Sequence, residues 1–313
     1  MKLLLIGDGH ITDIKPERRK DENFLATGLS KIDQARMIGE QNNCDIAIQV
    51  GDIGETPRIS RRAIAELIEC LSRFIIPFYS ICGQHDITGH TMKTYDDCAH
   101  RVLASAKVTK LLSFNPVMKN NIHIYGASFG EAIPKVLDLT KYNILVIHAM
   151  IGNDLLYPGQ DIVYPEAFLR QHPEFQLVVC GDYHYRFVVE YKGRYCVNPG
   201  ALLRLTINER DLAHKPGVVV FDTDSNKFDI IKFTVIPPEE IFDLHRKEQE
   251  EDKDKAQAEA LLLQFIENLK KSERTGVKWT EVLQKLLIEK NVSDELKATV
   301  EEILKKYSQQ LKG

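Results

Sequence analysis

KLLLIGDGH, residues 2–10, decides how the rest of the chain is read. Lys2–Ile6 is an apolar run of strand length, and it stops at Gly7-Asp8, with His10 one residue further on. The same pattern returns twice. Ile46–Val50 is apolar and stops at Gly51-Asp52; Pro77–Cys82 stops at Gly83-Gln84-His85-Asp86. Between these runs, Phe24–Gln41 and Ser60–Phe74 carry helical periodicity. A strand, a polar loop and then a helix, repeated, predicts βαβ units and a sheet with helices on its faces.

Working outward, the second half is richer in strands. Ile122–Tyr125, Ile144–His148, Leu177–Cys180, Phe187–Tyr191, Tyr195–Val197, Val218–Asp222 and Phe228–Phe233 are predicted strands, some separated by turns such as Lys192-Gly193. Such a stretch completes a second sheet packed on the first. The expected fold class is therefore α/β, a two-sheet α/β sandwich with a C-terminal α-helical extension. Pro237-Pro238 breaks the pattern. Residues 1–236 are read as the catalytic domain, 237–255 as a charged linker and 256–313 as a helical tail. In the tail, Leu261, Leu262, Phe265, Ile266 and Leu269 form one apolar stripe and Val282, Leu283, Leu286 and Leu287 another.

Composition narrows the class. The chain has 313 residues, 43% hydrophobic and 27% charged, with a formal net charge of −4. That balance excludes a polybasic tail as the basis of function but leaves room for a local basic groove. Six cysteines are present with no CxxC pair, which excludes a zinc ribbon and fits reduced core thiols of a cytoplasmic protein. No apolar stretch approaches the roughly 18 residues of a membrane span, so no membrane association is expected.

The polar residues carry the chemistry. Asp8 and His10 follow the first strand, Asp52 the second, and Gln84, His85 and Asp86 the third. His148 ends a later strand, and Asp182 and His184 follow another. Strand C-termini converge in open α/β sheets, so these side chains can share one crevice. Mixed oxygen and imidazole donors suit Mn²⁺, Fe²⁺ or Zn²⁺, and there are enough for two metals with Asp52 between them. Each motif alone is a common turn or cap; five in order, each at a strand end, point to a site.

The ordered set GDGH (7–10), GD (51–52), GQHD (83–86), His148 and GDYH (181–184) resembles the calcineurin-like metallophosphoesterases. Their motif order is Asp-x-His, Gly-Asp, Gly-Asn-His-Asp/Glu, a lone His and Gly-His-x-His. Within the family the chain is most similar to the SbcD-type DNA-repair exonucleases, through GDGH, VNPGALLRLT (197–206) and the helical tail. The resemblance implies one metal on Asp8, His10, Asp52 and His184, and a second on Asp52, Gln84, His148 and Asp182. It makes His85 the catalytic histidine that protonates the leaving oxygen, with Asp86 orienting it and raising its pKa. It implies two divalent ions, Mn²⁺ before Mg²⁺ or Fe²⁺, in a Mn-dependent 3′→5′ DNA exonuclease. The partners implied are DNA and an SbcC-like coiled-coil ATPase docked on residues 256–313; the alternative uses of that tail are packing against residues 1–236 or against a second copy of the chain in a homodimer. Gln84 and Asp182 depart from the family's Asn and His, which predicts an oxygen-rich second site that fills weakly and is rescued by Mn²⁺. The competing readings are a phosphodiesterase or phosphatase for small-molecule or protein substrates, and a scaffold whose second metal site has decayed.

Arg204, Arg186 and Tyr183 are the candidate substrate contacts. Lys15, Arg18, Arg19, Lys20, Arg58, Arg61 and Arg62 lie in or just beyond the loops after His10 and Asp52, where they would rim the cleft or simply face solvent. His90 sits close to the GQHD loop as a supporting residue.

Overall fold

The structure is a computed structural model that describes residues 1–156 and 159–244. The tail (256–313) and the linker beyond residue 244 lie outside the described residues. Met1–Ile241 forms one compact unit, so the unit includes the helical turn α6 (Pro238–Ile241), five residues past the boundary expected from the prolines.

The first sheet runs β12 (Lys227–Lys232), β11 (Gly217–Asp222), β1 (Lys2–Ile6), β2 (Ile46–Gln49), β3 (Phe78–Ser80), β4 (Lys110–Leu111). β1 to β4 are parallel, and β11 joins β1 antiparallel. The second runs β5 (Val117–Lys119), β6 (Ile122–Ala127), β7 (Tyr142–His148), β8 (Leu177–Gly181), β10 (Arg194–Asn198), β9 (Phe187–Tyr191). Here β6, β7, β8 and β10 are parallel.

Alternation along each strand sorts its side chains between two cores. Leu3 and Leu5 of β1 meet Ile144, Val146, Leu177 and Val179 between the sheets. Leu4 and Ile6 face the other way, against Leu25, Ile32 and Ala35 of α1 (Phe24–Gln41) and Leu67 and Leu71 of α2 (Arg61–Ser72). Behind the second sheet, Leu145, Val178 and Cys180 pack on Phe168 and Leu169 of α4 (Pro165–Gln171). The result is the α/β sandwich expected, with a helical layer outside each sheet.

The helices start where their caps dictate. Asn23 accepts the Ala26 amide at 3.1 Å to open α1, and Ser60 accepts the Ala63 amide at 3.1 Å to open α2. α2 stops at Ser72, two residues before its periodicity ends. There the Arg73 and Phe74 amides turn back to Cys70 and Leu71 in a tighter turn, and Pro77 bars continuation. α3 (Ala99–Ser105) and α5 (Glu209–Ala213) are short additions in the connecting loops.

Candidate metal centre

The strand ends of both sheets meet at one seam. Asp8 and His10 leave β1, Asp52 leaves β2, Gln84 and His85 leave β3, His148 closes β7, and Asp182 and His184 leave β8. Backbone bonds join the loops: the Gly9 and His10 amides both donate to Asp52 O, at 2.8 and 2.9 Å. The Asp182 amide donates to Asp8 Oδ2 at 2.9 Å, tying the second sheet to the first. Gly83 is required by space. A Cβ there would collide with Asp52 Oδ1 and come within 2.6 Å of His148 Cε1.

Three groups of donors form, with ligand atoms in each within 4.8 Å of one another: Asp8, His10 and His184; Asp8, Asp52 and His148; and His10, Asp52 and His85. Asp8 thus belongs to both halves of the centre, whereas the resemblance gave it to the first metal alone. Asp182 falls in none of the groups.

Hydrogen bonds fix which imidazole nitrogens face inward. His10 Nδ1 donates to Glu55 Oε2 at 2.8 Å, which leaves Nε2 bare, 3.0 Å from His184 Nε2. His148 Nδ1 donates to Val50 O at 2.6 Å, and its Nε2 faces Asp52 Oδ2 at 3.2 Å. Four buried atoms have no hydrogen-bond partner here: Asp8 Oδ1, Asp52 Oδ2, Gln84 Oε1 and His148 Nε2. Stranded buried donors and acceptors are rare and destabilising. A cluster of lone pairs converging at one seam fits divalent cations.

The electrostatics agree. Burial lifts Asp8 to about 7 against the pull of His148. Burial also works on Asp52, but the neighbouring His148 wins and brings it down to about 2. His148 is raised to about 10: burial opposes its charge, and Asp52 and Asp8 override it. The carboxylate charge that draws a proton to His148 would equally draw a divalent cation. His184 is pushed down to about 3 by burial and by His10, so it stays a neutral ligand.

Several expectations need correction. Asp86 does not orient His85. Its carboxylate is buried and accepts the amides of Gly83 (3.0 Å), Gly54 (3.1 Å) and Ile53 (3.3 Å), stapling the β3 loop to the β2 loop. His85 Nδ1 instead donates to Glu55 O at 2.9 Å, and the His85 amide donates to Asp52 Oδ1 at 2.8 Å. Asp182 Oδ1 accepts Gln84 Nε2 at 2.7 Å rather than joining the donor groups.

The proposed substrate contacts point elsewhere. Arg204 is buried, donating to His214 O at 2.7 Å and Ile236 O at 3.0 Å. Arg186 donates to Pro199 O at 2.9 Å and Lys215 O at 3.2 Å. Tyr183 is 3% exposed, packs on Phe187, and its hydroxyl accepts the Asp154 amide at 3.3 Å. All three satisfy backbone groups that irregular loops leave open, which sequence cannot distinguish from facing a cleft. Arg19, read from sequence as rimming the cleft or facing solvent, does neither and turns inward to Asp21 and Arg204 O. The residue that sequence reasoning missed is Glu55. Its carboxylate and carbonyl hold His10 and His85, and its only signal is its place three residues after Asp52 in GDIGE.

The calcineurin-like phosphoesterase superfamily domain matches residues 1–226, and the chain belongs to that family of metal-binding hydrolases. No curated protein matches the chain. Among solved structures it is similar to TT1561 of Thermus thermophilus, at 11% identity over 74% of this chain and 98% of that one, TM-score 0.49. A novel archaeal phosphodiesterase shares 15% identity over 74% of this chain and 100% of its own, TM-score 0.42. PH1004 of Pyrococcus horikoshii OT3 shares 12% identity over 96% and 97%, TM-score 0.39. Among the described residues no helix is long and apolar enough to cross a membrane.

Proposed function

We propose that this metallophosphoesterase is a DNA exonuclease of the SbcD type, cutting phosphodiesters in the 3′→5′ direction with Mn²⁺. The observation that carries the reading is the cleft beside His85. It is open, about 520 Å³, and lined by His85, Gln84, Arg58, Thr56, Thr88 and His90. A closed pocket would suit a small ester; an open trough with a cation on its rim suits a chain that continues past the scissile phosphate.

Asp8, His10, Asp52 and His184 would hold one cation, and Asp52, His148, Asp8 and Gln84 Oε1 a second. When bound, such ions withdraw charge from the phosphate and make a water acidic enough to attack. The protein's own part is positional. The Glu55 carbonyl accepts a hydrogen bond from His85 Nδ1–H, so Nε2 is the nitrogen left to face the cleft and hand a proton to the departing sugar oxygen. The Asp52 carboxylate holds the His85 amide and so fixes the imidazole relative to the metal ligands. A coiled-coil ATPase on residues 256–313, outside the described residues, completes the proposal as the factor that delivers DNA ends.

The test uses the purified chain with Mn²⁺ on end-labelled duplex and single-stranded DNA, beside a chromogenic phosphodiester. DNA shortened from the 3′ end, and lost in His85→Ala while Mn²⁺ still binds, is the expected result. Turnover of the small ester alone would assign a small-molecule phosphodiesterase. No turnover in any metal would leave a scaffold.

A further inference from the structure

The structure assigns Asp182 a new role: it is a positioning residue that holds the Gln84 side-chain amide so that Gln84 Oε1, and not Asp182 itself, is the ligand of the second metal. The inference rests on the metal centre and not on the DNA reading.

The argument starts from donor chemistry. A carboxylate only accepts hydrogen bonds, so the end of the Gln84 amide that lies 2.7 Å from Asp182 Oδ1 must be the NH₂ group. That fixes the other end as Oε1, a buried atom with no hydrogen-bond partner. An asparagine at position 84 would be one methylene shorter. The longer glutamine reaches Asp182 with its nitrogen and leaves its oxygen free of any protein partner. Asp182 meanwhile stands outside every cluster of donors close enough to share an ion. The two residues that break the family's motif are therefore bonded to each other, and they act as one substitution. An aspartate where the motif has histidine gives up a ligand, and the anion it brings orients the amide ligand that remains on the neighbouring loop.

The backbone supports the same division. The Asp182 amide donates to Asp8 Oδ2 at 2.9 Å with φ at +80°, so the main chain at this position braces a ligand of both clusters whatever side chain it carries. Glycine adopts that φ without strain, so Asp182→Gly removes the carboxylate and keeps the amide.

The experiment is a calorimetric Mn²⁺ titration of the full chain, with electron paramagnetic resonance of the Mn²⁺ pair. The variants are Gln84→Ala, Asp182→Gly, Asp182→Asn and the double Gln84→Ala/Asp182→Gly. Gln84→Ala and Asp182→Gly should each weaken the second site roughly 10–100-fold, the loss typical of a ligand support, and leave the first site unchanged as an internal check on folding; Asp182→Asn, whose Oδ1 still accepts the Gln84 amide, should stay close to wild type. In the two weakened variants the coupled two-Mn²⁺ signal should give way to an isolated-ion spectrum at stoichiometric metal and return at excess. The double variant should bind within about 3-fold of Gln84→Ala, because removing Asp182 matters only through Gln84. Losses that multiply in the double variant would make Asp182 an independent ligand and overturn the proposal. So would an unchanged second site in Asp182→Gly. Either failure leaves the DNA assay untouched, since that assay turns on His85.

Discussion

Gly83→Ala separates the stability of the fold from the integrity of its metal centre. Gly83 has φ −91° and ψ −176°, a conformation open to alanine, so backbone strain plays no part. Space does. The new methyl would collide with Asp52 Oδ1 and lie 2.6 Å from His148 Cε1. Neither can retreat freely, because Asp52 Oδ1 holds the His85 amide at 2.8 Å and His148 is tied to Val50 O at 2.6 Å. Overpacking of this kind costs about 1–3 kcal/mol. Restricting the unfolded chain returns about 0.4–1 kcal/mol. The net loss is about 1–2 kcal/mol, or about 2–8 °C in Tm for a unit of this size. Gly193→Ala is the matched control. Gly193 has φ +74° and nothing within 4 Å, so its alanine suffers left-handed strain of about 1–2 kcal/mol, reduced by the same unfolded-chain return to about 0.5–1.5 kcal/mol, and no collision. Thermal melts in EDTA should therefore show similar losses for the two variants. Calorimetric titration should show Mn²⁺ affinity falling roughly tenfold or more in Gly83→Ala alone, as expected when ligands are displaced. Unaltered Mn²⁺ binding in Gly83→Ala, or an equal loss in Gly193→Ala, would refute the claim that the contact with Asp52 and His148 is what the glycine protects.

Three further outcomes follow from the same geometry. Mn²⁺ at 100 times its Kd should stabilise the native chain by about 2.7 kcal/mol, roughly 5–10 °C in Tm, and Asp52→Asn, which removes a member of two donor groups, should abolish most of that shift in a thermal melt. Glu55→Ala frees the ring of His10 and should weaken the site shared with His184 roughly 10–100-fold by Mn²⁺ titration, with an unchanged Kd counting against it. His100 is fully buried, its Nε2 2.7 Å from Ser80 Oγ, and burial pushes it down to about 4. Its unfolded form takes a proton near 6.5, so the stability it confers is complete above that pH and is lost as pH falls from 6.5 toward 4. Urea melts should lose about 2 kcal/mol more between pH 7.5 and pH 5 in wild type than in His100→Gln.

How much could be read from sequence differs sharply between backbone and side chain. α1 is predicted to the residue because Asn23 caps it and its apolar stripe is long. β9 is predicted to the residue because its apolar run ends at the Lys192-Gly193 turn. β4 and β5, two and three residues long, and α5, five residues long, carry too few residues for any period to show. The donor residues were legible because strand ends converge whatever the loops do. Their second partners were not. The resemblance makes Asp86 the mate of His85, yet its carboxylate is taken up by the amides of Gly83, Gly54 and Ile53, which no motif shows. Glu55 lay in plain view but gains its role only when the β2 loop folds beneath the β3 loop. Arg186 and Arg204 read as cleft residues because an arginine's destination depends on which carbonyls the loops leave unpaired.

The centre is also where this fold holds its most demanding backbone. His10 (φ 49°), Asp52 (51°), Asp182 (80°) and His184 (62°) are left-handed without being glycine. Such residues cost about 1–3 kcal/mol each and persist only when their surroundings over-determine them. Here each turn is fastened by another: His10 N to Asp52 O at 2.9 Å, Ala201 N to His184 O at 2.8 Å, Leu202 N to Asp8 O at 2.9 Å. A strand alone would send alternate side chains to opposite faces. Reversing the chain directly after the strand end lets loops from both sheets aim their donors at one seam. The flanking cores around α1, α2 and α4 carry no such strain and can offset it. Strained turns, buried carboxylates and unpartnered lone pairs coincide at one place, where divalent cations would balance the carboxylates, satisfy the lone pairs and tie the turns together.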